Sequence, residues 1–225
     1  MNIYIIRHAE SEENAGTSAS NDAALTPRGR EQARRTGHWL SNLELRPRSL
    51  FVSPALRTLE TADLIRESLP VDATVDPDLC EHGLLYGDDG LSGAEIETRF
   101  GRDLETRGTE QRSGYRLPAD FTQSHGWARD LAGETKSDFV ERALRVIERY
   151  GEGFRPGSPP IALVTHAHFG GFLLGTMLDI PSSMLSRRRM RQLNCGVTRI
   201  EFTESYRIVH FSNATAHLGD LVVSE

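Results

Sequence analysis

The sequence predicts a three-layer α/β/α sandwich with a mainly parallel central sheet. Three observations lead to it. Apolar runs at residues 3–6, 50–52 and 161–164 are rich in β-branched and aromatic side chains and too brief for helices, which is how strands covered on both faces read. A helical pattern follows each run, and strands alternating with helices build parallel βαβ units. Late in the chain, residues 197–202 and 206–211 flank Thr203-Glu204-Ser205, so a hairpin adds an antiparallel terminal strand.

The elements follow in order. Residues 3–6, Ile-Tyr-Ile-Ile, form a strand that ends at Arg7-His8. The polar residues 10–22 are loop. Thr26 before Pro27 is an N-cap followed by proline at the first helical position, so a helix runs from 27 to about 43, with Ala33, Gly37 and Leu40 facing inward. Residues 49–52 form the second strand. Ser53-Pro54 repeats the cap-and-proline signal and opens a helix to about 69. A short strand lies within 72–79. Residues 88–125 are rich in Gly, Asp, Glu and Arg, with one helical pattern near 94–104. With their flanks, at about 82–133, they read as a specificity insertion over the active site, since loops this long in compact domains are commonly functional. Residues 134–150 form an amphipathic helix with Phe139, Val140, Ala143, Leu144 and Ile147 on one face. Residues 161–164 are the third strand, and 170–178 a helix packed closely on the sheet.

At 225 residues the chain is expected to be one domain, 1–225, carrying that insertion. Hydrophobic residues make up 38% and charged residues 26%, a balance that excludes a disordered chain. No apolar run approaches a membrane span. The first residues lack the basic start and apolar stretch of a secretory signal, so the expected compartment is the cytoplasm. Cys80 and Cys195 are too few and too isolated for a disulfide framework or a zinc site. A net charge of −6 and a pI of about 5.8 make the chain a poor general nucleic-acid binder. Arg187, Arg188, Arg189 and Arg191 read as a solvated basic face. The oligomeric state stays open, a homodimer included.

In open parallel sheets, ligands bind beyond the carboxyl ends of the strands. Three runs deliver reactive groups there: Arg7-His8, Ser53-Pro54-Ala55-Leu56-Arg57, and Thr165-His166. Two arginines and two histidines on one rim suit a phosphate, because guanidinium is permanently charged and its fork matches two phosphate oxygens. A neutral imidazole is a competent nucleophile toward phosphorus, and flanking arginines disfavour its protonated form. A helix opening at Ser53-Pro54 would add N–H groups for an anion. The leaving alkoxide needs a proton. Glu81 is the leading candidate acid, with Asp78, Asp88 and Asp89 as rivals. His166-Ala167-His168 also has the form of a metal-binding pair, but Phe169-Gly170-Gly171 supplies no further ligand.

Arg7-His8-Ala9-Glu10-Ser11-Glu12-Glu13-Asn14 resembles the RHG-E-S-x-x-N signature of the histidine phosphatase superfamily, the phosphoglycerate mutase-like fold. The resemblance continues through residues 25–29 and 53–62. It returns at Gly133-Glu134-Thr135, at 164–167 and at 213–218, in the family's order over nearly the whole chain. It implies that His8 is the nucleophile that becomes phosphohistidine. Arg7, Arg57, His166, Asn14 and Ala167 would complete the phosphate pocket, and Glu81 sits where many members have their proton donor. It implies no metal and no organic cofactor. A phosphatase acting on a small phosphorylated metabolite is expected, because the contacts that mutases of the family make to their substrate are mostly missing. Residues 15–24 hold no tryptophan, Ala167-His168 stands where mutases have Gly-Asn, and no lysine precedes Lys136. Phosphoglycerate mutase-type transfer and a non-catalytic phospho-ligand sensor are the alternatives, with a metal-dependent hydrolase behind them.

Overall fold

A computed structural model describes residues 1–82, 90–101, 114–152, 157–185 and 190–223. Its strands are β1 (Asn2–Arg7), β2 (Ser49–Val52), β3 (Asp72–Val75), β4 (Ile161–Thr165), β5 (Val197–Phe202) and β6 (Arg207–Ala214). They form one sheet in the order β3-β2-β4-β1-β5-β6. The first four run parallel, β5 lies antiparallel to β1, and β6 antiparallel to β5. The α/β fold and the terminal hairpin are as the sequence predicts.

The helices are α1 (Pro27–Ser41), α2 (Leu56–Ile65), α3 (Gly93–Phe100), α4 (Lys136–Ile147), α5 (Ala167–Met177) and α6 (Ser182–Leu185). Side chains alternate across the sheet and so divide into two cores. Tyr4, Ile6, Ala162 and Val164 meet Leu40 of α1 and Leu59, Ala62 and Ile65 of α2. Ile3, Ile5, Ile161 and Leu163 meet Phe139 and Val146 of α4 and Phe169 and Leu173 of α5.

Helix α1 begins as its sequence dictates: Thr26 Oγ1 accepts from Gly29 N at 3.0 Å, with Pro27 following the cap. A Cβ on Gly37 would lie 2.5 Å from the carbonyl oxygen of Ile65, so this glycine lets α1 lie against the end of α2.

Two helices depart from expectation. Helix α2 begins at Leu56, not at Ser53-Pro54. Ser53 stays on the sheet, its N–H donating to Val164 O at 3.1 Å, and its hydroxyl is engaged by His166. Asp22 takes over the cap, with Oδ1 accepting from Leu56 N at 2.7 Å. Helix α4 starts at Lys136, two residues later than 134, because Thr135 and Asp138 form a capping box. Its buried face includes Arg142, while Leu144 is 52% exposed. The apolar periodicity placed Leu144 inward and could not anticipate a buried arginine that has its own partners.

The described parts of the 82–133 segment fasten to one side of the domain. Arg116 pairs with the free edge of β3, donating to Ala73 O and accepting from Val75 N, each at 2.9 Å. Tyr115 Oη donates to Leu59 O of α2 at 2.7 Å, and Arg99 of α3 pairs with Glu60 at 3.1 Å. Asp88, Asp89 and Arg187–189 lie outside the described residues.

Strand register sets the site. Arg7 lies opposite Thr165, and Val52 opposite Val164. The ladder continues one step, since His8 N donates to Thr165 O at 2.9 Å. The residues that follow these strand ends, His8, Ser53 and His166, therefore emerge side by side.

Candidate active site

His8 is 3% exposed. Its Nδ1 lies 2.7 Å from Ala9 O, and Arg57 Nε donates to its Nε2 at 3.2 Å. A carbonyl oxygen only accepts and a guanidinium only donates. The ring is therefore neutral, with its hydrogen on Nδ1 and a lone pair on Nε2. Burial, then Arg57, then Arg7 hold its pKa well below the usual histidine value.

His166 caps the start of α5 and is 1% exposed. Its ring stands edge-on to His8, centroids 5.3 Å apart, and its Nε2 lies 2.8 Å from Ser53 Oγ. Burial and the neighbouring Arg57 push its pKa well below the usual value too. Arg7, 4% exposed, donates from one terminal nitrogen to Gln192 O at 2.9 Å. Arg57 sits in the first turn of α2 and also donates to Asn21 O. The site thus gathers two guanidinium groups and two neutral imidazoles at the carboxyl ends of β1, β2 and β4.

The expected anion seat at the start of α2 is not there. Asp22 supplies a carboxylate to that helix end from within the chain. At α5, Glu81 does the same for two of the first N–H groups: Oε2 accepts from His168 N at 2.9 Å and Oε1 from Phe169 N at 3.0 Å. The N–H of Ala167, the first residue of α5, is bonded to neither. Glu81 is 6% exposed, and these bonds fix its carboxylate one residue beyond His166 and Ala167. Its rival Asp78 is paired with Arg145 and Arg149 at 2.9 Å each. Asn14 lies at the exposed rim, with Oδ1 accepting from Asn194 Nδ2 at 3.0 Å.

The two histidines of the His166-Ala167-His168 string part company. His166 faces Ser53 and His8, while the His168 ring stacks on Phe139, centroids 5.3 Å apart. Among the described residues no three His, Cys, Asp or Glu side chains gather as a metal site, and no helix is long and apolar enough to cross a membrane.

Residues 3–215 match the sequence profile of the histidine phosphatase superfamily, branch 1. The chain belongs to this superfamily. It is 26% identical over 235 residues to a protein named Probable phosphoglycerate mutase GpmB from Erwinia tasmaniensis, covering 100% of this chain and 98% of that one. A protein of the same name from Salmonella paratyphi A is 30% identical over 210 residues, covering 91% and 86%. Solved structures share the fold. The mycobacterial glucosyl-3-phosphoglycerate phosphatase complexed with VO3 has a TM-score of 0.63 at 20% identity, covering 95% of this chain and 99% of that one. A phosphoserine phosphatase from Entamoeba histolytica, complexed with phosphoserine, gives 0.61 at 19%, covering 96% and 98%.

The strings that carry the superfamily resemblance include the groups gathered at these strand ends. They do not reveal what holds those groups. Arg142 of α4 is 1% exposed and paired with Glu134, Nε to Oε1 at 2.7 Å. Its terminal nitrogens donate to the carbonyls of Asp78, Cys80 and Glu81 at 2.9, 2.7 and 3.2 Å. One buried guanidinium thereby organises the segment that presents Glu81. Glu134 belongs to a string that carries the resemblance, but nothing in the sequence ties it to Arg142.

Proposed function

We propose that this histidine phosphatase superfamily member hydrolyses a small phosphate monoester through a phosphohistidine on His8. The observation that carries the reading is the setting of His8: Nδ1 lies against the Ala9 carbonyl oxygen, and Nε2 accepts from Arg57.

In the first step Nε2 attacks phosphorus and the bond from phosphorus to the leaving oxygen breaks. Glu81, as the proposed general acid, passes a proton to that oxygen, which departs as an alcohol. In the second step water attacks phosphorus, the P–N bond breaks, and the Glu81 carboxylate takes the proton from the water. His8 returns to its neutral form. The guanidinium groups of Arg7 and Arg57, the Asn14 amide, His166 and the Ala167 N–H hold the phosphoryl oxygens. They offset the charge that develops on those oxygens. Arg57 moves its Nε–H from His8 to a phosphoryl oxygen as the substrate arrives. The cationic groups belong to the chain, so the proposed reaction requires no metal. The reaction is placed in the cytoplasm, where the thiols of Cys80 and Cys195 stay reduced; both are free and buried.

A mutase reading has one specific support, the name carried by the relatives at 26% and 30% identity. Both reactions begin with transfer to His8 and differ in whether water or a second substrate oxygen takes the phosphoryl group. The missing mutase contacts favour water. A paired assay on one preparation decides: phosphate release from a panel of phosphorylated metabolites, and interconversion of 2- and 3-phosphoglycerate with bisphosphoglycerate primer. We expect release without primer and little interconversion. Fast primer-dependent interconversion with negligible release would make the protein a mutase.

A further inference from the structure

We infer that Asn194 is a positioning residue that turns the Asn14 amide toward the phosphoryl group and ties it to the backbone of the nucleophile. The inference rests on the phosphatase reading above, in which Asn14 binds a phosphoryl oxygen.

Asn194 is 3% exposed, and its Nδ2 donates to His8 O at 3.1 Å and to Asn14 Oδ1 at 3.0 Å. The His8 carbonyl only accepts, so it identifies which end of the Asn194 amide is the nitrogen. That NH2 group then requires an acceptor on Asn14. The atom it meets is Oδ1, which also accepts from Ser11 N at 3.5 Å. The Asn14 NH2 is thereby the outward end of a pinned amide, and it makes no hydrogen bond among the described residues. A donor oriented before the substrate arrives needs no reorganisation when charge develops.

Asn194 is itself gripped by the nucleophile's main chain. Cys195 N donates to Arg7 O at 3.1 Å and to His8 O at 3.3 Å. The Arg7 side chain closes the other side of the turn through Gln192 O at 2.9 Å. Asn213 Oδ1 accepts from Leu193 N at 2.7 Å, and a Cβ on Gly196 would lie 2.1 Å from that oxygen. The turn 192–196 therefore moves with Arg7 and His8, and Asn194 carries that attachment across to Asn14. Asn213 falls in a segment matching the family, and this turn is what it holds.

The test is a double-mutant cycle on wild type, Asn14→Ala, Asn194→Ala and the double variant. It reads kcat, KM, the inhibition constant of vanadate and the melting temperature, with p-nitrophenyl phosphate as substrate. Each single change should weaken vanadate binding and lower kcat/KM by about tenfold to a hundredfold, the span of one hydrogen bond to a charged group. The double variant should be within about twofold of the worse single one, because the two residues act as a unit. A merely structural Asn194 would lower the melting temperature, leave vanadate affinity intact and add in full to Asn14→Ala; that result overturns the inference. Should Asn194→Ala fail to fold, the wild type still answers. In ¹⁵N-labelled protein, vanadate should shift the Asn14 side-chain NH2 signals while the Asn194 NH2 stays slow to exchange. An Asn14 NH2 unmoved at saturating vanadate overturns the inference. A wild type that binds vanadate but hydrolyses no ester sinks the phosphatase reading alone, leaving the NMR shift to decide on Asn194. One that does neither sinks both.

Discussion

Arg57 Nε donates to His8 Nε2 at 3.2 Å, so the guanidinium that, after burial itself, does most to keep the imidazole neutral stands on the side from which, in the proposed reaction, a phosphoryl group reaches it. The cation that suppresses protonation of the proposed nucleophile is also the cation that attracts its target. A lysine would supply the charge without the planar fork needed to turn from one role to the other.

The first prediction concerns acid. Burial and the two arginines place the His8 pKa well below its usual value, so the acid limb of kcat/KM that reports on His8 should lie well below pH 6.5. Stability carries the opposite penalty. His8, His166 and His217, the last lowered to about 4 by burial, stay neutral in the folded protein while the unfolded chain protonates them below about pH 6.5. The unfolded state then binds more protons. Their contribution is therefore fully present above that pH and is lost as pH falls toward the folded-state values. Melting temperature recorded from about pH 7.5 down to 5 should drop, and His8→Gln should flatten the slope. An identical slope for the variant would mean that His8 takes up its proton alike in the folded and unfolded chain.

The second prediction concerns Glu81. If it protonates the leaving oxygen, Glu81→Gln should slow alkyl phosphates by about 10²–10⁴, while p-nitrophenyl phosphate, whose leaving group needs little protonation, suffers much less. Equal losses on both esters would assign Glu81 solely to holding the start of α5.

The pocket was legible in the sequence because its groups follow strand ends directly. Three short apolar runs placed Arg7, His8, Ser53 and His166 on one rim, and parallel register brought them side by side. What the sequence did not show are the supports, which depend on pairs far apart in the chain. Arg142 reaches Glu81 O across 61 positions and Asn194 reaches His8 O across 186, and neither separation has a period to read. The start of α2 departs from its local signal for a related reason. Ser-Pro is a good local cap signal, yet the sheet kept Ser53 and a distant Asp22 supplied the cap.

The third prediction follows from Arg142. Removing it leaves Glu134 buried without its guanidinium partner and strips three carbonyls of their donor. Arg142→Ala should cost about 3–5 kcal/mol in urea unfolding. Leu144→Ala, on the exposed face of the same helix, should stay within about 0.5 kcal/mol. A loss for Arg142→Ala no larger than for Leu144→Ala would show that the 78–81 segment holds itself in place.

The fourth prediction concerns metals. Because the proposed phosphate pocket is built from Arg7, Arg57, Asn14, His166 and the Ala167 N–H, EDTA should leave turnover unchanged and vanadate should compete with substrate. Activity lost on chelation and restored by zinc or manganese would point to a metallohydrolase.

The covalent intermediate is the core of the account, and one measurement addresses it directly. Wild-type protein is mixed with a phosphate ester for milliseconds, quenched in alkali, and mapped by mass spectrometry, beside His8→Ala treated identically. The account predicts a phosphoryl group on His8 that is stable to base, labile to acid and formed before free phosphate appears, with His8→Ala folded, unmodified and nearly inactive. Substantial turnover by His8→Ala, or a phosphoryl group found on another residue, would contradict it.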